Sequence, residues 1–281
     1  MAAPRELFYR FGAAAGGAMP GHHRSHGGAA GLEFRAHAPL ADWPDARRLD
    51  LHASLRDPFG RWLVRLADER RSVTVAVVAD LSASMAFEGR VRRIDVLADF
   101  TESLAWSAWR TGDAFAFVGC DDGVQPAFTL AATRRRAAGL ALAQGLRAWR
   151  PQGRSAAALA EAVRRLPQRR SLVFLVSDFH LPFDLLERVL ASLAAHDVVP
   201  VRLRDAVEYE PATGHGLAPV REPESGRRSW LWWRPALRER WAEAAAARDA
   251  ELAALFERHR LAPLTIEGAF DAEAFNRRFA A

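Results

Sequence analysis

The sequence predicts an α/β protein with a doubly wound, mostly parallel sheet. Three observations carry that expectation. The run VTVAVVAD at 73–80 is β-branched and almost continuous, as a central strand covered on both faces must be. The segment at 93–110 places Ile94, Leu97, Ala98, Thr101, Leu104, Ala105 and Ala108 at three- and four-residue spacing, the period of an amphipathic helix. Apolar strands and such helices then keep alternating, which implies parallel pairing through crossover helices.

In chain order, residues 1–30 are dominated by Gly, Ala and His (GAAAGGAMPGHHRSHGGAAG) without a period, and read as a mobile arm. A domain over 31–281 follows, with its core at about 72–205 and a C-terminal elaboration at about 206–281. Before the core, RWLVRLADE puts Trp62, Val64 and Leu66 on one face, as in a half-buried strand. After the helix at 93–110 come the strand AFAFVGC, a short edge strand VQPAFTL, helical segments within 133–150 and 155–166, and the strand SLVFLVS. PFDLLERVLASLAAH is a helix with Pro182 near its start, and Pro200 in the strand VVPVRLR predicts an edge position. In the elaboration, LAPVR and RRSWLW flank EPESG as a hairpin. A long helix (RPALRERWAEAAAARDAELAALFERHR), the strand PLTIE and the helix DAEAFNRRF end the chain.

Composition narrows the class. Of 281 residues, 50% are hydrophobic and 26% charged, ordinary for a folded soluble protein that buries a sizeable core. All 39 basic residues are arginine, a codon-bias signature, and the net charge is +5. The arginines are interspersed with acids, so solvated mixed faces fit better than a nucleic-acid surface. The lone Cys120 has no disulfide partner, which predicts the cytoplasm, and Arg10 interrupts the N-terminal apolar stretch. With no apolar run long enough to cross a bilayer, no membrane insertion is expected.

Asp80 closes the central strand, and in open α/β sheets ligands gather at the carboxyl ends of strands. With Ser82 and Ser84 it forms D-x-S-x-S, one carboxylate and two hydroxyls able to offer oxygens to a hard divalent cation. Two further loops supply candidates: Ser155 in GRSAAALAEAV and Asp178 at the end of SLVFLVSD. Each has a plainer reading, since Asp and Ser also cap turns and helix starts. His22, His23 and His26 in HHRSH lack a completing ligand and read as loop; Cys120 reads as a small buried residue; the tryptophans of SWLWW read as cover for the sheet edge.

These residues resemble the metal-ion-dependent adhesion site of von Willebrand factor A domains, with DLSAS as its first element. The wider sequence resembles the DUF58 family through GLEFRAHAPL, DARRLDLHAS, DLSASM, SDF at 177–179 and ARDAELAALFERHRLAPLTIEG. The resemblance implies Ser82 and Ser84 as direct ligands, Asp80 and Asp178 as direct ligands or positioners of water, and Ser155 where a threonine usually stands. It implies a divalent cation, Mg²⁺ first with Mn²⁺ or Ca²⁺ as alternatives, whose coordination is completed by an acidic side chain of a client protein. It further implies a MoxR-type AAA+ ATPase as partner, and a non-enzymatic adaptor in maturation or in metal or cofactor insertion. Many relatives carry transmembrane helices ahead of this region, whereas here the region begins almost at once.

Two other classes are weighed against that expectation. A phosphate-ester hydrolase using Asp80 as nucleophile would want a second acid two residues on, where Ser82 stands, and without lysine the usual phosphate-binding loop cannot exist. Arginine-mediated nucleic-acid binding lacks a motif or an aromatic stacking platform.

Overall fold

β-Branched residues buried on both faces set the centre of the fold. The computed structural model describes residues 4–9, 20–25, 33–209, 216–221 and 228–280. The chain makes two compact units, residues 10–73 and residues 1–9 with 74–281.

In the first of these, β1 (Pro20–Ser25), β2 (Glu33–Pro39) and β3 (Leu63–Arg71) form an antiparallel sheet in the order β1-β3-β2. The short helix α1 (Leu51–Leu55) precedes β3, and the Asp50 carboxylate caps it by accepting from the Ala53 N–H at 3.0 Å. Inward alternation begins at Val64, which is buried, while Trp62 lies before the strand and is exposed. Trp62 therefore does not share the inner face expected of it.

The larger unit runs β4 (Thr74–Asp80), α2 (Arg93–Arg110), β5 (Ala114–Cys120), β6 (Val124–Thr133), α3 (Arg136–Ala148), α4 (Leu159–Arg164), β7 (Leu172–Ser177), α5 (Phe183–Ser192) and β8 (Asp197–Arg204). It continues through α6 (Ala206–Tyr209), β9 (Gly216–Arg221), β10 (Arg228–Trp233), α7 (Pro235–Arg258), β11 (Leu264–Glu267) and α8 (Ala272–Ala280). Six strands form one sheet in the order β11-β8-β7-β4-β5-β6. All neighbours are parallel except β6, which turns back on β5. The chain moves outward from β4 to β5 on one side and through β7 to β8 on the other. The carboxyl ends of β4 and β7 thus meet at a topological switch point, where connections diverge and leave a crevice.

Helices cover both faces, as the period-2 alternation of β4 requires. Ala76 and Val78 pack with α4, α5 and the Leu252–Leu255–Phe256 stripe of α7. Among the residues buried elsewhere are Val75 and Val77, whose side chains point to the opposite face. An aromatic cluster joins α2, β7 and α8: Phe100 meets Phe174 edge-on at 5.5 Å, and Phe275 lies 5.9 Å from Phe100 and 6.0 Å from Phe174.

Several expectations are corrected. Residues 4–9 are docked and not part of a mobile arm: Leu7 and Tyr9 are buried, and Tyr9 donates to Asp113 at 2.8 Å. The Leu7 N–H donates to Ser107 Oγ at 2.7 Å, and Asn276 Nδ2 donates to the Glu6 carbonyl at 2.9 Å. Residues 20–25, also assigned to the arm, form β1; the rest of that stretch, including His26, lies outside the described residues. Residues 10–73 form a unit of their own, and the larger unit resumes at residue 74, close to the expected start of the core at about 72. β8 is interior despite Pro200, because β11 begins to pair only at Val201 and the missing N–H falls outside the shared stretch. The C-terminal region is no mere elaboration, since β11 extends the main sheet and α8 enters its core. Trp230 and Trp232 do not cover the sheet edge; they are exposed on the β9–β10 hairpin.

The aromatic cluster should dominate stability. Phe174→Ala is expected to cost about 3–5 kcal/mol in urea unfolding, against about 0.5 kcal/mol or less for the exposed Phe8→Ala.

Candidate functional site

The site lies where β4 and β7 end. Asp80 is the last residue of β4 and is 1% exposed. Its Oδ1 accepts from the Ser82 N–H at 2.9 Å, and its Oδ2 accepts from Ser177 Oγ at 2.8 Å. The chain then enters a 3₁₀ turn over Ala83–Ala86 that places Ser84 Oγ 3.2 Å from Ser82 Oγ. One carboxylate and two hydroxyls therefore face each other in a buried turn.

Asp178 follows β7 directly and is 2% exposed. The turn that carries it bends sharply at Phe179, whose φ of 59° is left-handed and costly for a bulky residue. Its surroundings hold it there. The Phe179 N–H donates to Ser177 Oγ at 2.9 Å, its carbonyl accepts from Arg248 Nη2 at 2.8 Å, and its ring meets Phe256 edge-on at 5.3 Å.

Arg93 connects the two loops. Its Nη1 donates to Asp178 Oδ2 at 2.7 Å and to the Ser84 carbonyl at 2.9 Å, while its guanidinium lies 5.1 Å from the centre of the Phe87 ring. Nη2 donates to Glu208 Oε2 on α6 at 2.5 Å. His180 Nδ1 stands 3.5 Å from both Asp178 Oδ2 and Glu208 Oε1. A close approach positions α6: a Cβ on Gly89 would fall 2.3 Å from Asp205 Oδ2. With that space open, the Asp205 carboxylate accepts from the N–H groups of Arg90 at 2.8 Å and Val207 at 3.0 Å.

The two carboxylates are shifted in opposite directions. Burial, aided by the charge of Asp178, pushes Asp80 up to about 6. Burial acts on Asp178 in the same sense, but hydrogen bonding to His180 and the Arg93 charge overcome it and hold its carboxyl well below the usual range. His180 is raised in turn by Asp178. Asp178 is thus ionised and compensated, whereas among the described residues no cation pairs with Asp80.

The structure brings Asp80, Ser82, Ser84 and Asp178 together at the switch point. Ser155 bonds to another loop. Its loop does run beside the first, since the Ala83 N–H donates to the Gly153 carbonyl at 2.8 Å, and a Cβ on Gly153 would strike Asp121 at 2.4 Å. Its hydroxyl donates to Asp122 Oδ1 at 2.7 Å and accepts a long 3.4 Å bond from the Ala157 N–H, which staples the loop; α4 itself starts at Leu159, with Ala158 as its N-cap and no side-chain cap bond. Four residues of the site went unread in the sequence: Ser177, Arg93, His180 and Glu208. Arg93 carried a signal, because a cation in the first turn of a helix opposes the macrodipole and needs another reason to be there. Cys120 is buried at the end of β5, and burial pushes its thiol up, so it stays protonated.

The donor set suits a hard cation. Among the described residues no three His, Cys, Asp or Glu side chains cluster to hold a metal, so a cation here would rely on hydroxyl oxygens. Asp80, Ser82 and Ser84 supply such oxygens, and the buried charge on Asp80 is what a divalent ion would neutralise. Asp178, already bonded to Arg93, fits a supporting position better than a direct one.

A carboxylate and paired hydroxyls thus stand at the switch point of an open α/β sheet, an arrangement that points to a class of fold before it points to a particular protein. The family described as "Protein of unknown function DUF58" matches residues 43–251, and the chain belongs to it. A 101-residue stretch, 36% of this chain, is 40% identical to an uncharacterized protein in the moxR 3′ region of Paracoccus denitrificans and covers 96% of it. Among solved structures, the chain is similar to conserved hypothetical protein BatB from Bacteroides thetaiotaomicron, at 12% identity, 74% of this chain, 96% of that one and a TM-score of 0.45. It is also similar to a von Willebrand factor type A structure from Catenulispora acidiphila, at 15% identity, 76% and 42% coverage and a TM-score of 0.37.

The opposite shifts make a pH signature. Asp80 binds its proton more tightly folded than at its ordinary 3.8, so in EDTA its contribution to stability is present in acid and falls as pH rises through about 6. Asp178 contributes the reverse, a stabilisation present above the ordinary carboxylate range and lost on acidification. From pH 4 to 7 the urea midpoint of wild type should therefore fall relative to that of Asp80→Asn, which carries no Asp80 titration.

Proposed function

We propose that Asp80, Ser82 and Ser84 bind a divalent cation, Mg²⁺ first, with Asp178 in support, and that the protein is a non-enzymatic adaptor. In this reading it joins a MoxR-type AAA+ ATPase to a client protein during maturation or metal and cofactor insertion. An acidic side chain of the partner completes the coordination. The observation that carries the reading is the buried Asp80 carboxylate, short of compensating charge beside two hydroxyl oxygens 3.2 Å apart. A bound cation would supply the missing charge and an open coordination position.

The chain's own residues prepare that place. The Ser82 N–H and Ser177 hydroxyl orient the two oxygens of Asp80, and Arg93 holds Asp178 and the Ser84 carbonyl in one frame. The partner assignment draws its support from the Paracoccus denitrificans relative, whose coding region lies in the moxR 3′ region. The non-enzymatic assignment draws its support from Ser82, which stands where a nucleophilic Asp80 would want a second acid.

Mg²⁺ at about 100 times its dissociation constant should raise the melting temperature by roughly 5–10 °C, and Asp80→Ala should abolish the rise. Recovery of the ATPase in pull-downs should fall in EDTA and with Asp80→Ala. Equal recovery in both would remove the metal bridge.

A further inference from the structure

The β9–β10 hairpin is a two-stranded ribbon that pairs with no other strand among the described residues. Its register sets Trp230 opposite Pro219 and Trp232 opposite Leu217, and two-residue alternation brings the two tryptophans to one face. Trp230 is 66% exposed, Trp232 63% and Leu217 57%. The helix that follows packs elsewhere. α7 buries Leu252, Leu255 and Phe256, all in its C-terminal third, while Pro235 and Ala236 at its start are exposed. Charge gathers in the same place. Residues 227–241, RRSWLWWRPALRERW, hold five arginines and one glutamate, so four of the chain's five net positive charges arise there. No acid in the first turn of α7 offsets the positive end of its macrodipole.

We propose that the β9–β10 hairpin and the start of α7 bind the surface of an anionic lipid bilayer. Trp230, Trp232 and Leu217 enter the boundary between headgroups and acyl chains, and the local arginines, the exposed Arg234 and Arg240 among them, meet the lipid phosphates. Tryptophan suits that depth because its ring is apolar while its N–H stays near water. Arginine suits the headgroups, since a guanidinium can pair with a phosphate through two parallel bonds. Size favours lipid over a folded protein partner. Two strands of six residues, at about 3.3 Å per residue, give a ribbon face of roughly 20 by 10 Å. That is about a quarter of the ~800 Å² per partner that a stable protein complex takes. A bilayer sets no such threshold, because each inserted apolar group and each cation adds its own increment of binding. Leu217 beside the tryptophans favours lipid over a nucleic-acid strand, whose bases stack on aromatic faces. Among the described residues no helix is long and apolar enough to cross a bilayer, and contact at the surface requires none.

The inference goes beyond the cation reading and does not depend on it, so the test is run in EDTA. The full chain is sedimented with vesicles of phosphatidylcholine containing roughly 30% phosphatidylglycerol, and with pure phosphatidylcholine vesicles as control. Wild type should sediment with the anionic vesicles, leave them as salt rises from about 0.05 M to about 0.5 M, and ignore the neutral ones. Trp230→Ser combined with Trp232→Ser should lower the partition coefficient about tenfold or more while leaving the urea midpoint unchanged, because both rings are exposed. Arg234→Gln combined with Arg240→Gln should lower it roughly tenfold and flatten the salt dependence. Brominated phosphatidylcholine in the anionic vesicles should quench the fluorescence of wild type more than that of the tryptophan variant. Wild type that stays in the supernatant would overturn the proposal, as would equal partition of wild type and the tryptophan variant, since bulk charge would then account for the contact. Binding of a single-stranded oligonucleotide that is lost in the same variant, without binding to vesicles, would overturn it in favour of nucleic acid. Should the double tryptophan variant unfold, Trp230→Ser alone and the quenching of wild type decide.

Discussion

Asp80 and Asp178 end two strands of one parallel sheet in a place that excludes water, and the polar groups around them are arranged to bear that burial. Asp178 is matched by Arg93 and His180. Among the described residues, Asp80 is given hydrogen-bond donors but no cation. A buried carboxylate without a counter-charge is among the most costly groups a fold can keep. That asymmetry, more than the hydroxyls beside it, is what the proposed cation would relieve.

The scaffold supports the arrangement without taking part in it. β4 and β7 are covered on both faces, so their ends are fixed by packing on each side of the sheet. Phe179 keeps a left-handed backbone because its ring, N–H and carbonyl are all engaged. Gly89 and Gly153 let neighbouring loops approach where a methyl group would collide.

Much of the fold was legible in the sequence because its signals are local. The β-branched run at 73–80, the helical spacing at 93–110 and the later alternation map onto β4, α2 and the parallel sheet. Misreadings arose where a local signal depended on a distant partner. Pro200 reads as an edge residue, yet the pairing of β11 starts one position later; the Gly- and Ala-rich N-terminus has no period, yet Leu7 and Tyr9 are held by α2 and the turn that follows it. Asp80, Ser82 and Ser84 were readable as a group because two-residue spacing puts them in one turn. Asp178 was readable because it ends an apolar strand.

The sequence by itself determined the strand and helix alternation of the core, the buried central strand and the carboxylate–hydroxyl turn at its end, since periodicity and turn chemistry act over a few residues. Tertiary structure alone decided which groups meet that turn. Glu208 reaches Arg93 across 115 positions, Ser177 reaches Asp80 across 97, and Ser155 turns to Asp122. Such pairings follow from the route of the chain between strands, and the charge balance at a buried site depends on all of its neighbours at once.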